Sequence, residues 1–215
     1  MNKIIRAYLK NSQKEKIKIL FPSFIGKDVY LEGRNFIGRY CHINKTEIGK
    51  YTYIGNNCEF SNCRIGSFCS ISSNIKIIIG SHPSSKWIST HPMFFSKKCY
   101  VGKGFIDKDR YDEFSTTIAG YYCEIGNDVW IGRNVSIMQG VTIGNGVIIG
   151  TNSLITKNVP PYSVVVGSPG KIIRMRFQKD EIELLEKIEW WNWDIERIKN
   201  MALYFNDINE FKNHL

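Results

Sequence analysis

The chain has 215 residues, of which 43% are hydrophobic and 23% are charged. This composition is typical of one modest globular domain, and it excludes an intrinsically disordered chain and a protein built on membrane-spanning helices. The 29 lysines and arginines exceed the 20 acidic residues, a formal net charge of +9, so we expect an anionic partner. Because the basic residues form no recognised nucleic-acid motif, a phosphate-bearing small molecule is favoured over nucleic acid.

The N-terminal residues 1–24 are interpreted as a helix and lead-in. Residues 1–18 are basic and too polar for the apolar centre of a signal peptide, so we expect a cytoplasmic protein. A short terminal helix could touch a membrane surface, but packing on its own domain is the favoured interpretation.

A six-residue rhythm of aliphatic residues dominates residues 25–174. It runs through Ile25, Leu31, Ile37 and Ile43 and returns from Ile125 to Ile155. A period of six predicts one short strand and one corner per hexad, with three corners completing one turn of a coiled β-ribbon. The first aliphatic residue of each hexad should then point inward and stack on the residue eighteen positions later, as Ile131 on Ile149. The spacing predicts about five coils.

A second inward position lies two residues before each of these aliphatic residues, because side chains alternate along a strand. It holds small side chains, namely Val129, Val135, Val141, Val147, Ser153, Cys41, Cys58, Cys69 and Cys123. The cysteines therefore read as reduced core residues rather than disulfides or metal ligands. Asp128, Asn134 and Gly146 are predicted at corners with left-handed backbone.

Residues 80–122 interrupt the rhythm, and we interpret them as a long inserted loop. This segment mixes aromatic with charged side chains, including Trp87, Phe94 and Tyr111. Aromatic faces cover sugar rings while polar groups orient hydroxyls, but the same mixture would also suit a loop folded over a subunit contact.

The C-terminal residues 175–215 are predicted to form a helical cap. Asp180 followed by Glu183 is a candidate capping box, and a second helix is expected to begin at Asp194.

The motifs 128–132 (Asp-Val-Trp-Ile-Gly), 156–161 (Thr-Lys-Asn-Val-Pro-Pro) and 167–174 (Gly-Ser-Pro-Gly-Lys-Ile-Ile-Arg), together with the hexads, resemble those of left-handed parallel β-helix acyltransferases. Residues 80–83 (Gly-Ser-His-Pro) and the tail 190–195 resemble the xenobiotic and polysaccharide O-acetyltransferase branch. The resemblance implies a mainly β fold with a left-handed coil, an inserted active-site loop and C-terminal helices. It also implies a homotrimer with acetyl-CoA in the groove between neighbouring copies. The left hand comes from the resemblance alone, since parallel crossovers are usually right-handed.

The resemblance places the catalytic histidine on His82, and an imidazole can accept a hydroxyl proton at neutral pH. His91 is the rival histidine in the same loop and is interpreted as loop structure or an acceptor contact. Trp130 follows the inward Val129 and should point outward, where the family uses a tryptophan near the thioester. Packing against a neighbouring subunit is the alternative role for Trp130.

Residue-by-residue transfer from the sugar acetyltransferases places the coenzyme A contacts on Arg133, Thr151, Thr156, Lys157, Lys171 and Arg174. Cationic side chains suit its phosphates. Gly140 and Gly150 are expected to let the pantetheine arm approach the backbone. Acceptor contacts are predicted at Trp87, His91, Phe94 and Tyr111, and no metal is expected.

The sequence therefore predicts an acetyl-CoA-dependent O-acetyltransferase acting on a sugar hydroxyl of a surface polysaccharide or its precursor, by direct transfer in a ternary complex. A streptogramin or chloramphenicol acetyltransferase and an amino-sugar N-acetyltransferase are alternatives with the same chemistry. A zinc hydratase and a non-catalytic scaffold are alternatives of other classes. The sequence leaves open which glycan and which hydroxyl are acetylated.

Overall fold

The computed structural model describes residues 16–215, so the helix predicted at the N-terminus lies largely outside the described residues. The coil strands are short and follow one another at nearly regular intervals: β1 Lys18–Ile19, β2 Phe24–Ile25, β3 Tyr30–Leu31, β4 Phe36–Ile37, β5 His42–Asn44, β6 Glu47–Ile48, β7 Tyr53–Ile54, β8 Glu59–Ser61, β9 Cys63–Ile65, β10 Ser70–Ile71 and β11 Lys76–Ile78. The later strands include two antiparallel hairpins, β12–β13 and β20–β21: β12 Lys98–Cys99, β13 Gly102–Lys103, β14 Cys123–Ile125, β15 Trp130–Ile131, β16 Ser136–Met138, β17 Val141–Ile143, β18 Ile148–Ile149, β19 Leu154–Ile155, β20 Ser163–Val166 and β21 Lys171–Met175.

These strands form a parallel β-helix with three faces. The first face is β1-β4-β7-β10-β15-β18-β20, the second is β2-β5-β8-β11-β16-β19, and the third is β3-β6-β9-β14-β17. A bridge between Ile143 and Val159 continues the third face, so six coils precede β20. The predicted β-helix is confirmed, but the spacing indicated about five coils starting at residue 25. The difference is the first coil, because Ile19 already occupies the hexad position six residues before Ile25.

Stacked aliphatic side chains fill the interior of the coil. Ile131 pairs with Ile149, and Ile125 with Ile143, as the eighteen-residue offset predicted. The second inward position is equally closed, with Cys58, Cys69 and Val135 each 0% exposed. Hydrophobic burial along this single column is therefore the main stabilising term of the fold.

Truncation of this column should destabilise the protein strongly. Ile131 is 0% exposed and lies between Ile71 and Ile149 on adjacent strands, so Ile131→Ala should cost about 2–5 kcal/mol of unfolding free energy. Ile172→Ala removes the same atoms from a side chain that is 50% exposed, and the expected cost is below about 0.5 kcal/mol. Urea unfolding of both variants at one protein concentration measures the difference. Equal midpoints would contradict the stacked core.

The corners use left-handed backbone, as predicted for Asp128, Asn134 and Gly146, whose φ values are 55°, 58° and 65°. At the first-to-second-face corner, asparagines stack into a ladder. Asn74 donates to Asn134 at 2.8 Å, and Asn134 donates to Asn152 at 3.0 Å. Four aromatic corner residues were not anticipated, because they are bulky and still have φ between 56° and 61°: Tyr40, Tyr51, Phe68 and Tyr162.

The C-terminal residues form helices α1 Lys179–Ile188, α2 Ile195–Met201 and α3 Ile208–Asn213. Their apolar side chains make a second core against the corner between the third and first faces, where Phe68 contacts Trp190 at 5.0 Å. Packing in that aromatic cluster explains the left-handed corner residues Tyr51, Phe68 and Tyr162, whereas Tyr40 is 64% exposed.

The ends of these helices test two sequence predictions. Asp194 caps α2 by accepting from Arg197 N at 2.9 Å, as predicted. The capping box at Asp180 and Glu183 was wrong, because α1 begins earlier: Gln178 precedes it and donates its N–H to Glu181 at 2.9 Å. The predicted pair has the required spacing but lies two residues inside the helix.

Candidate active site

The inserted loop leaves the coil after β11 on the second face and returns at β14 on the third face. It contains one 3-10 turn, Pro92–Phe94, and the antiparallel hairpin β12–β13. Phe95 is 0% exposed and forms the centre of the loop, with ring contacts to His82 at 5.7 Å, Trp87 at 6.1 Å and Tyr111 at 5.4 Å. The loop therefore has its own small core, which lies directly beneath the candidate catalytic histidine.

His82 lies four residues after the end of β11, on the exposed side of this core. Its Nδ1 is 2.6 Å from the carbonyl oxygen of Thr90. A carbonyl oxygen only accepts, so Nδ1 carries the proton and Nε2 of the neutral ring has a lone pair. The imidazole is thereby oriented in the tautomer that a general base requires.

Four residues around His82 were missed by the sequence reasoning. Gln139 accepts from Gly80 N at 2.9 Å and donates to the carbonyl oxygen of Glu113 at 2.8 Å. The Glu113 carboxylate accepts from Ser96 Oγ at 2.6 Å. The four missed residues are therefore Gln139, Glu113, Ser96 and the loop-core residue Phe95. Their partners are separated by up to 59 positions, so no local motif signals them.

Trp130 lies on β15 of the first face and is 55% exposed, pointing outward as expected. In the register of that face, Trp130 lies between Ser70 and Ile148, and the next residues along the column are Tyr53 on one side and Val164 on the other. The small residue Ser70 separates Trp130 from Tyr53, which is 48% exposed. The column is thus an outward strip with an aromatic border.

The candidate coenzyme A residues divide into separate regions. Arg133 and Thr151 lie at the first-to-second-face corner. Thr151 is packed tightly on Gly132, since a Cβ atom added to Gly132 would be only 2.7 Å from Thr151 N. Gly150 lies beside Thr151, under Val166. Gly140 lies at the second-to-third-face corner, next to the end of the loop, and its N–H donates to Tyr122 O at 2.7 Å. Thr156 and Lys157 follow β19 at that same corner and are exposed.

Lys171 and Arg174 lie on β21, which pairs antiparallel with β20 at the end of the first face. Arg174 is opposite Val164, so it continues the outward column that contains Trp130. Both side chains belong to exposed residues. One face therefore carries both an indole and cationic groups.

Two other cations of this region are engaged in ion pairs. Arg176 Nη1 is 3.0 Å from Asp128 and 2.7 Å from the carbonyl oxygen of Gly146, and Lys179 is 3.8 Å from Glu183. Burial raises the pKa of the Asp128 carboxyl, although Arg176 opposes the shift. Arg176 thus ties the end of β21 to the corner before Trp130.

The predicted acceptor residues lie in different parts of the loop. Trp87 and Tyr111 share the Phe95 ring with His82, and Tyr111 OH is 3.1 Å from Ser81 Oγ. His91 Nδ1 accepts from Met93 N at 3.2 Å and so caps the 3-10 turn. The Phe94 ring packs against the Phe105 ring, with 5.4 Å between the ring centroids. The loop core brings only Trp87 and Tyr111 to the side of His82.

A groove of about 600 Å³ follows the third face. Its lining includes the stacked glycines Gly49, Gly66, Gly126 and Gly144 and, from α1, Glu186. None of the candidate site residues lines it. The candidate site residues therefore lie outside this groove.

Within residues 16–215, no group of three or more His, Cys, Asp or Glu side chains converges as metal ligands would. Over the same range, none of the helices has the length and apolar character that a membrane crossing requires.

A family model, individual relatives and solved structures all match this chain. The family model for the bacterial transferase hexapeptide (six repeats) matches residues 122–157. A chloramphenicol acetyltransferase of Agrobacterium fabrum is 38% identical over 136 residues, which is 60% of this chain and 59% of the relative. The chain thus spans somewhat under two thirds of that relative's length.

Longer coverage is found with a chloramphenicol acetyltransferase of Morganella morganii, 35% identical over 189 residues, which is 86% of this chain and 80% of the relative. Among solved structures, a variant of AntD, an N-acyltransferase from Bacillus cereus crystallised with dTDP and coenzyme A, superposes with a TM-score of 0.55. It is 19% identical and covers 81% of this chain and 89% of that chain, which supports the fold. With its coil, its hexads and this extended match, the chain belongs to the hexapeptide-repeat acetyltransferase family.

Proposed function

We propose that this protein transfers an acetyl group from acetyl-CoA to a hydroxyl group, with His82 as general base. The observation that carries the proposal is the Nδ1 contact of His82 with Thr90 O, which leaves Nε2 as the proton acceptor on an exposed imidazole. Relatives named chloramphenicol acetyltransferase support the reaction class, and coenzyme A is bound in the AntD complex.

In the proposed reaction, Nε2 takes the hydroxyl proton while the acceptor oxygen attacks the thioester carbonyl carbon. The carbon–sulfur bond then breaks, and the imidazolium returns its proton to the leaving thiolate. Trp130 Nε1–H is a donor for the thioester sulfur or carbonyl oxygen. Lys171 and Arg174 serve the phosphates, since charge-assisted hydrogen bonds are the stronger ones.

The placement of these groups supports a site shared between copies. Trp130 and Arg174 lie on the first face, whereas the His82 loop, Gly140 and Lys157 lie at the second-to-third-face corner, across the coil from that face. One acetyl-CoA molecule reaches both groups only if the first face of one copy meets that corner of another. We therefore propose the closed homotrimer that the family resemblance implies, with one site per contact.

Direct transfer is proposed because no cysteine of the coil is suited to form an acetyl-enzyme. Burial raises the pKa of the Cys63 and Cys69 thiols to about 12. A hydrogen bond from Cys58 lowers the pKa of Cys41 to about 7, but its side chain is only 2% exposed and cannot reach a thioester.

For the acceptor, we propose a sugar hydroxyl of a surface polysaccharide or its precursor. Trp87 and Tyr111 beside His82 offer aromatic faces and a hydroxyl, which suit a sugar ring. Chloramphenicol is the second candidate, because the Morganella morganii relative carries that name at 86% coverage of this chain. Location in the cytoplasm stays a prediction.

The test is transfer from labelled acetyl-CoA by the purified full chain to a panel of oligosaccharides, amino sugars, chloramphenicol and a streptogramin. We expect label on an oligosaccharide hydroxyl, with kcat/KM at least about tenfold above that for either drug. Preference for a drug would contradict the proposed sugar acceptor. Preference for an amine would show N-acetylation instead of the proposed O-acetylation. Acetyl-CoA that neither binds nor reacts would contradict the transferase proposal itself.

A further inference from the structure

Gln139 joins the coil to two segments of the inserted loop, the start at Gly80 and the later segment at Glu113. Its side-chain oxygen accepts from Gly80 N at 2.9 Å, and its side-chain nitrogen donates to Glu113 O at 2.8 Å. Its own N–H donates to Ile78 O at 3.0 Å. One residue, directly after β16, therefore holds the loop where it leaves the coil and where it turns back.

The segment that Gln139 holds leads straight to His82. Ser81 N donates to the same Glu113 oxygen at 2.9 Å, and Ser81 Oγ approaches that oxygen at 3.2 Å. Gly80 has φ +88°, and among residues 16–215, apart from its two chain neighbours, nothing lies within 4 Å of the position its Cβ would take. Side-chain packing therefore does not fix Gly80, and the hydrogen bond that its N–H donates to Gln139 orients its peptide group.

We propose that Gln139 is a positioning residue for His82: its amide locks Gly80 and Glu113 together and so fixes the direction in which the imidazole leaves the coil. The role rests on the proposed function of His82. An amide suits the position because it donates and accepts at the same time, and both partners here are main-chain groups of opposite type. Leucine fills a similar volume and makes neither bond.

A displaced base is costly in rate, since a misplacement of about 1 Å lowers turnover by about 10²-fold. Gln139→Leu should therefore lower kcat by about 10- to 100-fold. The KM for acetyl-CoA should stay within about twofold, because the Gln139 side chain bonds to Gly80 and Glu113 rather than to a coenzyme residue, and the neighbouring Gly140 keeps its main-chain bond to Tyr122 O. Ser136→Ala on β16 is the matched control, with a half-buried side chain on the same strand, and should leave kcat unchanged.

Gln139→Glu distinguishes positioning from general loop stability. The ionised carboxylate accepts from Gly80 N but cannot donate to Glu113 O, whereas the protonated carboxyl does both, like the amide. The ratio of variant to wild-type kcat should therefore rise as the pH falls through the titration of the new carboxyl. A merely structural defect would leave that ratio flat.

A readout independent of turnover separates this inference from the proposed function. The four histidines of the chain allow ¹⁵N spectra of the imidazoles to be assigned by His82→Gln. Wild type should show His82 protonated at Nδ1, and Gln139→Leu should show a tautomer mixture and faster amide exchange at Gly80 and Ser81. Unchanged His82 signals with unchanged kcat would overturn the positioning role. If Gln139→Leu changes the His82 signals but the wild-type protein transfers no acetyl group, the positioning role of Gln139 stands and the proposed reaction is refuted. If Gln139→Leu does not fold, the pH course of Gln139→Glu decides.

Discussion

Replacement of His82 by alanine should lower kcat by about 10²- to 10⁴-fold, the usual contribution of a positioned general base. The Kd for acetyl-CoA should change less than about twofold, because the imidazole acts on the acceptor proton and not on the coenzyme. Steady-state turnover and calorimetric titration with acetyl-CoA measure the two quantities. Since the His82 ring contacts Phe95 only at its edge, at 5.7 Å, the loop core should survive the substitution.

His91→Ala provides the matched control in the same loop. Its Nδ1 caps a 3-10 turn through Met93 N, so its loss should loosen the loop and cost far less turnover than the loss of His82. Turnover of His82→Ala at the wild-type level would remove this imidazole from the mechanism. Equal losses in the two histidine variants would assign both to loop structure.

Mixed trimers should recover activity that both parent variants lack. If His82 and Trp130 of one site come from different copies, every trimer that combines His82→Ala with Trp130→Ala subunits has one intact site of three. Purified mixed trimers should then show about one third of wild-type kcat per trimer. Two affinity tags isolate these species, and each parent homotrimer should be at least about tenfold below wild type.

The control for this experiment mixes His82→Ala with Gln139→Leu. Each change disables the His82 loop of the subunit that carries it. No subunit of a mixed trimer then supplies a functional loop, so no intact site forms. Mixed His82→Ala and Trp130→Ala trimers that remain inactive would place both residues in one chain's site and refute the shared geometry. A monomer in solution would refute it directly.

The coil was largely predictable because each hexad carries its own information. An aliphatic residue every six positions identifies the inward column, and Ile131 and Ile149 pair as that spacing requires. The first coil was left out because Ile19 stands near a polar N-terminal segment, although it obeys the same period. The bulky corner residue Phe68 was unpredictable, since its left-handed backbone is offset by packing on Trp190, which lies 122 positions away.

The site was predictable only as residue types. The sequence resemblance indicated His82 and Trp130, but not that they lie on opposite sides of the coil. The capping box was misplaced by two residues because Asp180 and Glu183 reproduce the spacing without the chain geometry. Gln139, Glu113 and Phe95 had no local signature, as their partners come from distant coils and from the far end of the loop.

The amino-acid sequence by itself determined the β-helix, its inward column and the interruption at residues 80–122, because these depend on a period that neighbouring residues repeat. Only the tertiary structure decided the tautomer of His82, the two hydrogen bonds of the Gln139 side chain and the placement of the candidate site residues on two sides of the coil. Those features depend on hydrogen bonds and contacts between segments far apart in the chain, and an irregular loop without a repeat holds no periodic signal of where its ends will meet.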